Sequence, residues 1–185
     1  MKKRCSWASN ESMVEYHDKE WGVPVRNDRK LFEMLILEGV QAGLSWNTIL
    51  KRRKTYKKAF NNFNAEKISK YNNKNVKRLL ADKGIIRNRL KVGATIINAK
   101  KFLEVKKEFG SFNKYIWSFV NHKPIQNKFK TIKDIPANTK KSDVMSKDLK
   151  KRGFKFVGTT ICYAFMQAVG MTNDHVIDCF RYKKL

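Results

Sequence analysis

Residues 36–46 read ILEGVQAGLSW, and the glutamate in this stretch has no obvious reason to be there. The chain carries 41 Lys and Arg against 16 Asp and Glu, yet Glu38 has no basic residue three or four positions away, where a helix would pair it; those places hold Met34, Leu35, Gln41 and Ala42. Glu33 differs, because Arg29 and Lys30 precede it by four and three residues, as expected of an exposed helical ion pair. A carboxylate set among apolar residues must be met by a donor or a cation, or take up a proton. Two readings stay open: Tyr or Trp donors of the chain satisfy Glu38 internally, or a ligand with amine donors or positive charge does so. Trp7, Tyr16, Trp21 and Trp46 lie in the same part of the chain, and ring faces beside one carboxylate suit a flat, electron-poor cation.

A second set lies at the two ends. HVIDC spaces His175 and Cys179 four apart, which places both on one face of a helical turn, and Cys5 with His17 forms a matching pair near the start. Two thiolates and two imidazoles suit tetrahedral Zn²⁺, and four protein ligands would leave no open position, so such an ion would be structural. The bland alternative is two unrelated cysteines and two surface histidines. Cys162, inside ICYAFM, reads as a small core residue.

The elements that must hold these residues are helical. Only three prolines occur, β-type alternation is nearly absent, and there is no internal repeat or flexible linker. Asn27 or Asp28 caps a helix with the stripe Leu31, Leu35, Glu38, Ala42, ending near Gly43; Ser45 caps a second beginning at Trp46. Further helices are expected just after Asn64, from about Asn75 to Asp82, from about Arg87 to Phe109, and in SFNKYIWSFV. Residues 121–143 read as a polar loop. Ser142 then opens a helix running to Gly153, and TTICYAFMQAVG forms the last, closed by Gly170. The fold class is all-α.

The net charge of +25 exceeds what solubility requires and points to a polyanion, with nucleic acid ahead of an acidic membrane, unless it reflects basic drift over every surface. No apolar run is long enough to span a bilayer and no signal-type segment follows MKKRCSWASN, so a cytoplasmic protein with reduced thiols is expected. In LKKRGFKFVGTTICYAFMQAVG, Gly153 and Gly158 bracket a tight turn, Thr159 opens a helix with free amides, and Lys150, Lys151, Arg152 and Lys155 lie alongside. This suits a sequence-independent phosphate contact, or merely an αα-corner. A basic surface beside an acidic aromatic pocket suggests a base swung out of a duplex, and an alkylated purine is both cationic and easily released.

YHDKEWGVP, LEGVQAGLSW, WSFVNHKP, KRGFKFVGTTICYAFMQAVG and NDHVIDC resemble the 3-methyladenine DNA glycosylase I family along essentially the whole chain. The resemblance implies a helix-hairpin-helix glycosylase in which residues 1–185 form one unit. A helical body would occupy residues 28–170 with its hairpin at about 150–160, and segments 1–21 and 171–185 would be clasped by one structural Zn²⁺ on Cys5, His17, His175 and Cys179. It implies hydrolytic release of 3-methyladenine from double-stranded DNA by a monomer, with no organic cofactor and no lyase step. Glu38, Tyr16 and Trp46 would form the base pocket, with Trp7 and Trp21 as walls. Gln41, Gly43 and Leu44 would enter the gap left by the flipped nucleotide, and Gly153, Lys155, Gly158 and Thr159 would hold the backbone. The aspartate that many such glycosylases place after the hairpin has no counterpart here, since Asp174 and Asp178 flank His175. Two other classes compete with this reading: a binder of damaged or bent DNA without turnover, and a general coating protein governed by salt alone.

Overall fold

The protein, described here from a computed structural model for residues 2–184, is built from nine α-helices and one pair of very short strands among those residues. In chain order the helices are α1 (Glu11–Lys19), α2 (Asp28–Gln41), α3 (Trp46–Ala59), α4 (Ala65–Ile68), α5 (Asn73–Ala81), α6 (Arg89–Phe109), α7 (Phe112–Ser118), α8 (Lys140–Lys151) and α9 (Thr159–Ala168). The strands β1 (Ile125–Gln126) and β2 (Thr172–Asn173) pair in parallel, Ile125 opposite Thr172. The all-α expectation therefore holds apart from these four residues.

Local chemistry sets the helix starts. Asn10, Asn27, Ser45, Asn64, Asn72, Asn88, Ser111 and Thr139 each accept a backbone N–H from the first turn of α1 to α8 in that order. Such caps satisfy amides that have no partner inside the helix. Several expected boundaries move accordingly. α5 starts at Asn73 behind Asn72, α6 at Arg89 behind Asn88, and α8 is capped by Thr139, with Ser142 reciprocating from three residues on. α1 itself was not foreseen; its Asn10 cap and Glu11 are the only local signs of it.

The centre of the molecule is α2, which packs against α3, α6, α7 and α9. Every residue from Leu31 to Val40 is buried, so the expected single stripe is in fact a helix enclosed on all sides. Glu33 is consequently not an exposed ion-pair member. It is buried and accepts from Arg53 Nε at 2.7 Å, while Arg53 also grips Glu20 through both terminal nitrogens at 2.9 Å.

The two ends of the chain are stitched together. The Gly22 and Val25 amides donate to the Gln167 and Val169 carbonyls at 3.0 Å, and the Phe180 amide donates to Lys3 O at 2.9 Å. No helix among the described residues is long and apolar enough to cross a membrane.

Candidate functional site

α1, α2, α3 and α9 converge on a cleft of about 380 Å³ lined by Trp7, Met13, Tyr16, Trp21, Glu38, Gln41, Trp46, Ile132, Ile135, Ala164 and Gln167. Trp46 is the first residue of α3, fixed there by the Ser45 cap, and its ring centroid lies 5.3 Å from that of Tyr16 at an interplanar angle of 51°. Trp7 meets Trp21 edge-on at 5.0 Å and Tyr16 at 6.3 Å. All five residues proposed from sequence for this pocket, Glu38, Tyr16, Trp46, Trp7 and Trp21, are brought together in it.

Two buried polar atoms here have no hydrogen-bond partner: Glu38 Oε2 and Trp46 Nε1. Burial alone pushes the Glu38 carboxyl up to about 8. The Tyr16 hydroxyl is also pushed up, first by burial and then by the charge of Glu38, yet it makes no hydrogen bond to that carboxylate. The internal-donor reading of Glu38 is therefore not what the fold provides. A buried acceptor and a buried donor left unmatched at a ring-lined cleft suit an external ligand with a flat ring and both hydrogen-bonding functions.

Sequence reasoning missed Met13, Ile132, Ile135, Ala164 and Gln167. Met13 lies on the unforeseen α1, and Ile132 and Ile135 sit in and just after a 3₁₀ turn within what read as a uniformly polar loop. Their i, i+3 apolar spacing was the available signal. Gln167 donates to Asp174 Oδ2 at 2.8 Å. Asp174 is fully buried and also accepts from Tyr163, Thr172 and Asn127, and Asp178 pairs at the surface with Lys3 at 2.6 Å. Asp174 is thus held by four donors, and Asp178 lies at the surface.

Directly behind the tryptophans lies the Cys/His set. Tyr16 and His17 are consecutive on α1: the first faces the cleft, the second the cluster. Donor atoms of Cys5, His17, His175 and Cys179, all buried, lie within 4.8 Å of one another. Cys179 Sγ stands 3.4 Å from both His17 Nε2 and His175 Nδ1, and Cys5 Sγ stands 3.7 Å from His175 Nδ1. A tetrahedral ion held at about 2.3 Å by sulfur and about 2.0 Å by nitrogen would have S–N edges of roughly 3.5 Å, which these distances match. The outer ring nitrogens are occupied, His17 Nδ1 by Asp18 at 2.8 Å and His175 Nε2 by Trp21 O at 3.1 Å, which turns the inner nitrogens toward the cluster. The donor set thus fits a closed, four-ligand metal centre. His175 and Cys179 do not share a helix, however; they flank an irregular turn closed by Cys179 N to Val176 O at 2.8 Å.

The stretch between α8 and α9 turns at Gly153, whose φ of +91° an L side chain rarely adopts. α9 is the one α-helix here without a side-chain cap, and a Cβ at its Gly158 cap would meet nothing within 4 Å. Lys155 is exposed just before it, but Arg152 is held by Glu108 at 2.7 Å and Asp148 at 2.9 Å. The Thr159 hydroxyl is likewise engaged, with Asp143 and Ser142, leaving its backbone rather than its side chain for a ligand. On the other side of the cleft Gln41 ends α2, Gly43 has φ of +76° and Leu44 is exposed.

A family model described as methyladenine glycosylase matches residues 6–182, and the chain belongs to that family. It is 50% identical over 181 residues to DNA-3-methyladenine glycosylase 1 of Escherichia coli (strain K12), covering 97% of each chain. A crystal structure of 3-methyladenine DNA glycosylase I superimposes with a TM-score of 0.94 at 49% identity, over 96% of this chain and 98% of that one. A tyrosine-to-phenylalanine variant of a 3-methyladenine DNA glycosylase I, solved in complex with 3-methyladenine, superimposes with a TM-score of 0.93 at 34% identity, over 96% of both chains.

Proposed function

We propose that this protein is a monofunctional DNA glycosylase that takes a 3-methyladenine nucleotide out of alkylated duplex DNA and hydrolyses its N-glycosidic bond. The single observation that carries the reading is the pair of unmatched buried atoms, Glu38 Oε2 and Trp46 Nε1, at an aromatic cleft large enough for a purine. Membership of the methyladenine glycosylase family supports it, and a relative of similar fold is known in complex with the free base.

Glu38 accepts from the exocyclic amine and the adjoining ring edge, and Trp46 stacks on the ring, which directs its in-plane indole N–H past the base edge toward the sugar or water. Methylation gives the base a positive charge, which favours the carboxylate form of Glu38; neutral adenine offers no such compensation for a buried anion. When the bond from the sugar C1′ to the base breaks, the electron pair moves to the base and cancels its charge. Water adds hydroxide to C1′ and gives up a proton to solvent, leaving an abasic site. So good a leaving group needs little protonation, which agrees with Asp174 being fully committed elsewhere. Binding and orientation supply the rest.

The remaining roles follow the same reading. Gln41, Gly43 and Leu44 fill the gap left by the base, Leu44 as an apolar wedge. The α8–α9 stretch acts as the hairpin of a helix-hairpin-helix unit, with the Gly158 and Thr159 amides and Lys155 on a phosphate. Cys5, His17, His175 and Cys179 hold one structural zinc, which would join the two ends of the chain and support Trp21 behind the pocket. The protein works as a monomer in the cytoplasm. The test is release of free base from methylated duplex: the wild type should release 3-methyladenine, and a folded Glu38→Gln variant should do so far more slowly. Binding to such DNA without any abasic product would favour the non-catalytic alternative.

A further inference from the structure

α6 carries a lysine that is used neither at the surface nor in an ion pair. Lys91 is only 9% exposed, and its Nζ donates to Val40 O at 2.8 Å and Ala42 O at 2.6 Å. Those carbonyls belong to the end of α2, where helices leave acceptors without partners and where positive charge is favoured. α2 has no basic residue in its own last turn, so the cation comes from another helix. Ala42 lies immediately before Gly43 and Leu44, the turn assigned to the gap in the duplex. The short turn between α2 and α3 is thus tied at its base by two charge-assisted hydrogen bonds.

The same face of α6 reaches the hairpin. Asn98, seven residues from Lys91 and also buried, accepts from Lys155 N at 2.7 Å and donates to Lys155 O at 2.9 Å. Between the two, Gly39 of α2 lies so close to Phe156 of the hairpin that a Cβ there would sit 3.2 Å from its Cβ and carbonyl oxygen. One helix therefore fixes both the wedge turn, through Lys91, and the phosphate-facing loop, through Asn98.

We propose that Lys91 is a positioning residue for lesion extrusion: it holds the Gln41–Leu44 turn at a set distance from the hairpin, so that the wedge enters the duplex when the hairpin grips the backbone. The inference rests on the reading of that turn as the wedge. It predicts a separation between two activities, because Lys91 touches the turn and does not line the base cleft.

The test uses Lys91→Met, which keeps the aliphatic stem and removes the donors, with Lys91→Arg as the conservative control. Binding of free 3-methyladenine, read by tryptophan fluorescence, should change by no more than about threefold in both, since Gln41 is the one residue of the turn that lines the cleft. Insertion is read from 2-aminopurine placed beside an abasic analogue in duplex DNA, whose fluorescence should rise with wild type and stay flat with K91M. Base release from methylated duplex should fall roughly tenfold to a hundredfold in K91M and recover substantially in K91R. Equal losses in free-base binding and in release would show a general structural role and overturn the proposal, as would K91M behaving as wild type, or wild type giving no 2-aminopurine signal. A normal insertion signal from a wild type that releases no base would instead refute the glycosylase reading and leave the role of Lys91 standing. Should K91M fail to fold, K91Q, with one donor group retained, should lose part of the insertion signal while binding free base; full retention would overturn the inference.

Discussion

Glu38 and Trp46 face one cleft with complementary groups that the protein itself leaves unmatched, a carboxylate oxygen on one side and an indole N–H on the other. Between them the fold maintains a buried acceptor, a buried donor and a ring face, with Tyr16 tilted at 5.3 Å from Trp46 to close the edge. An arrangement that costs stability in the free protein is understandable where a ligand supplies the missing partners.

That cost has a pH signature. The Glu38 carboxyl is pushed up to about 8 in the folded chain, from an ordinary value of 4.5 once unfolded. The folded state therefore holds a proton that the unfolded state has lost, and stability falls as pH rises between these limits. Urea unfolding of wild type and Glu38→Gln should give similar stabilities near pH 4.5, with the variant ahead by roughly a few kcal/mol at pH 9. A pH-independent difference would mean that Glu38 is solvated or paired.

Metal should be measurable directly. Elemental analysis of purified protein should return one zinc per chain, and chelation or Cys179→Ser should lower Tm by about 10 °C, as expected for loss of a few kcal/mol in a chain of this size. Because Trp21 O is hydrogen-bonded to His175, free-base affinity should weaken with the metal's removal. Metal-free protein with unchanged Tm would exclude the clasp.

Lys155 and Arg152 stand three residues apart and should behave differently. Lys155 is exposed at the uncapped start of α9, whereas Arg152 is committed to Glu108 and Asp148. Lys155→Ala should reduce the slope of log K against log salt for DNA binding by about one and leave Tm unchanged. Arg152→Ala should keep the slope and lower Tm. The reverse pattern would place the hairpin away from the DNA backbone.

How much of this was legible in the sequence depends on the residue. Caps at Asn27 and Ser45 are local signals, and the helices after them begin where those side chains put them. Glu38 was conspicuous because its own helix offers it no basic partner. Glu33 misled for the mirror reason: Arg29 and Lys30 are suitably spaced, but its main partner, Arg53, comes from α3 and buries the pair, which helix spacing does not encode. α1 escaped notice because its apolar residues are few, and its Tyr16 and His17 are held by tertiary contacts on opposite sides. Lys91 was invisible as one of many lysines; its partners are backbone carbonyls about fifty residues away, and no side-chain pattern records a backbone acceptor.

The most direct test of the pocket is a titration of the wild-type protein with duplex DNA carrying 3-methyladenine on a 2′-fluorinated sugar, which slows cleavage and keeps the base cationic, and with the same duplex carrying adenine, repeated on Glu38→Gln and Trp46→Ala. The account predicts that wild type prefers the methylated base by at least about tenfold, that E38Q loses most of that preference, and that W46A loses about 1–3 kcal/mol of affinity for it. Equal affinity for both bases in the wild type, or a preference that survives E38Q intact, would contradict it.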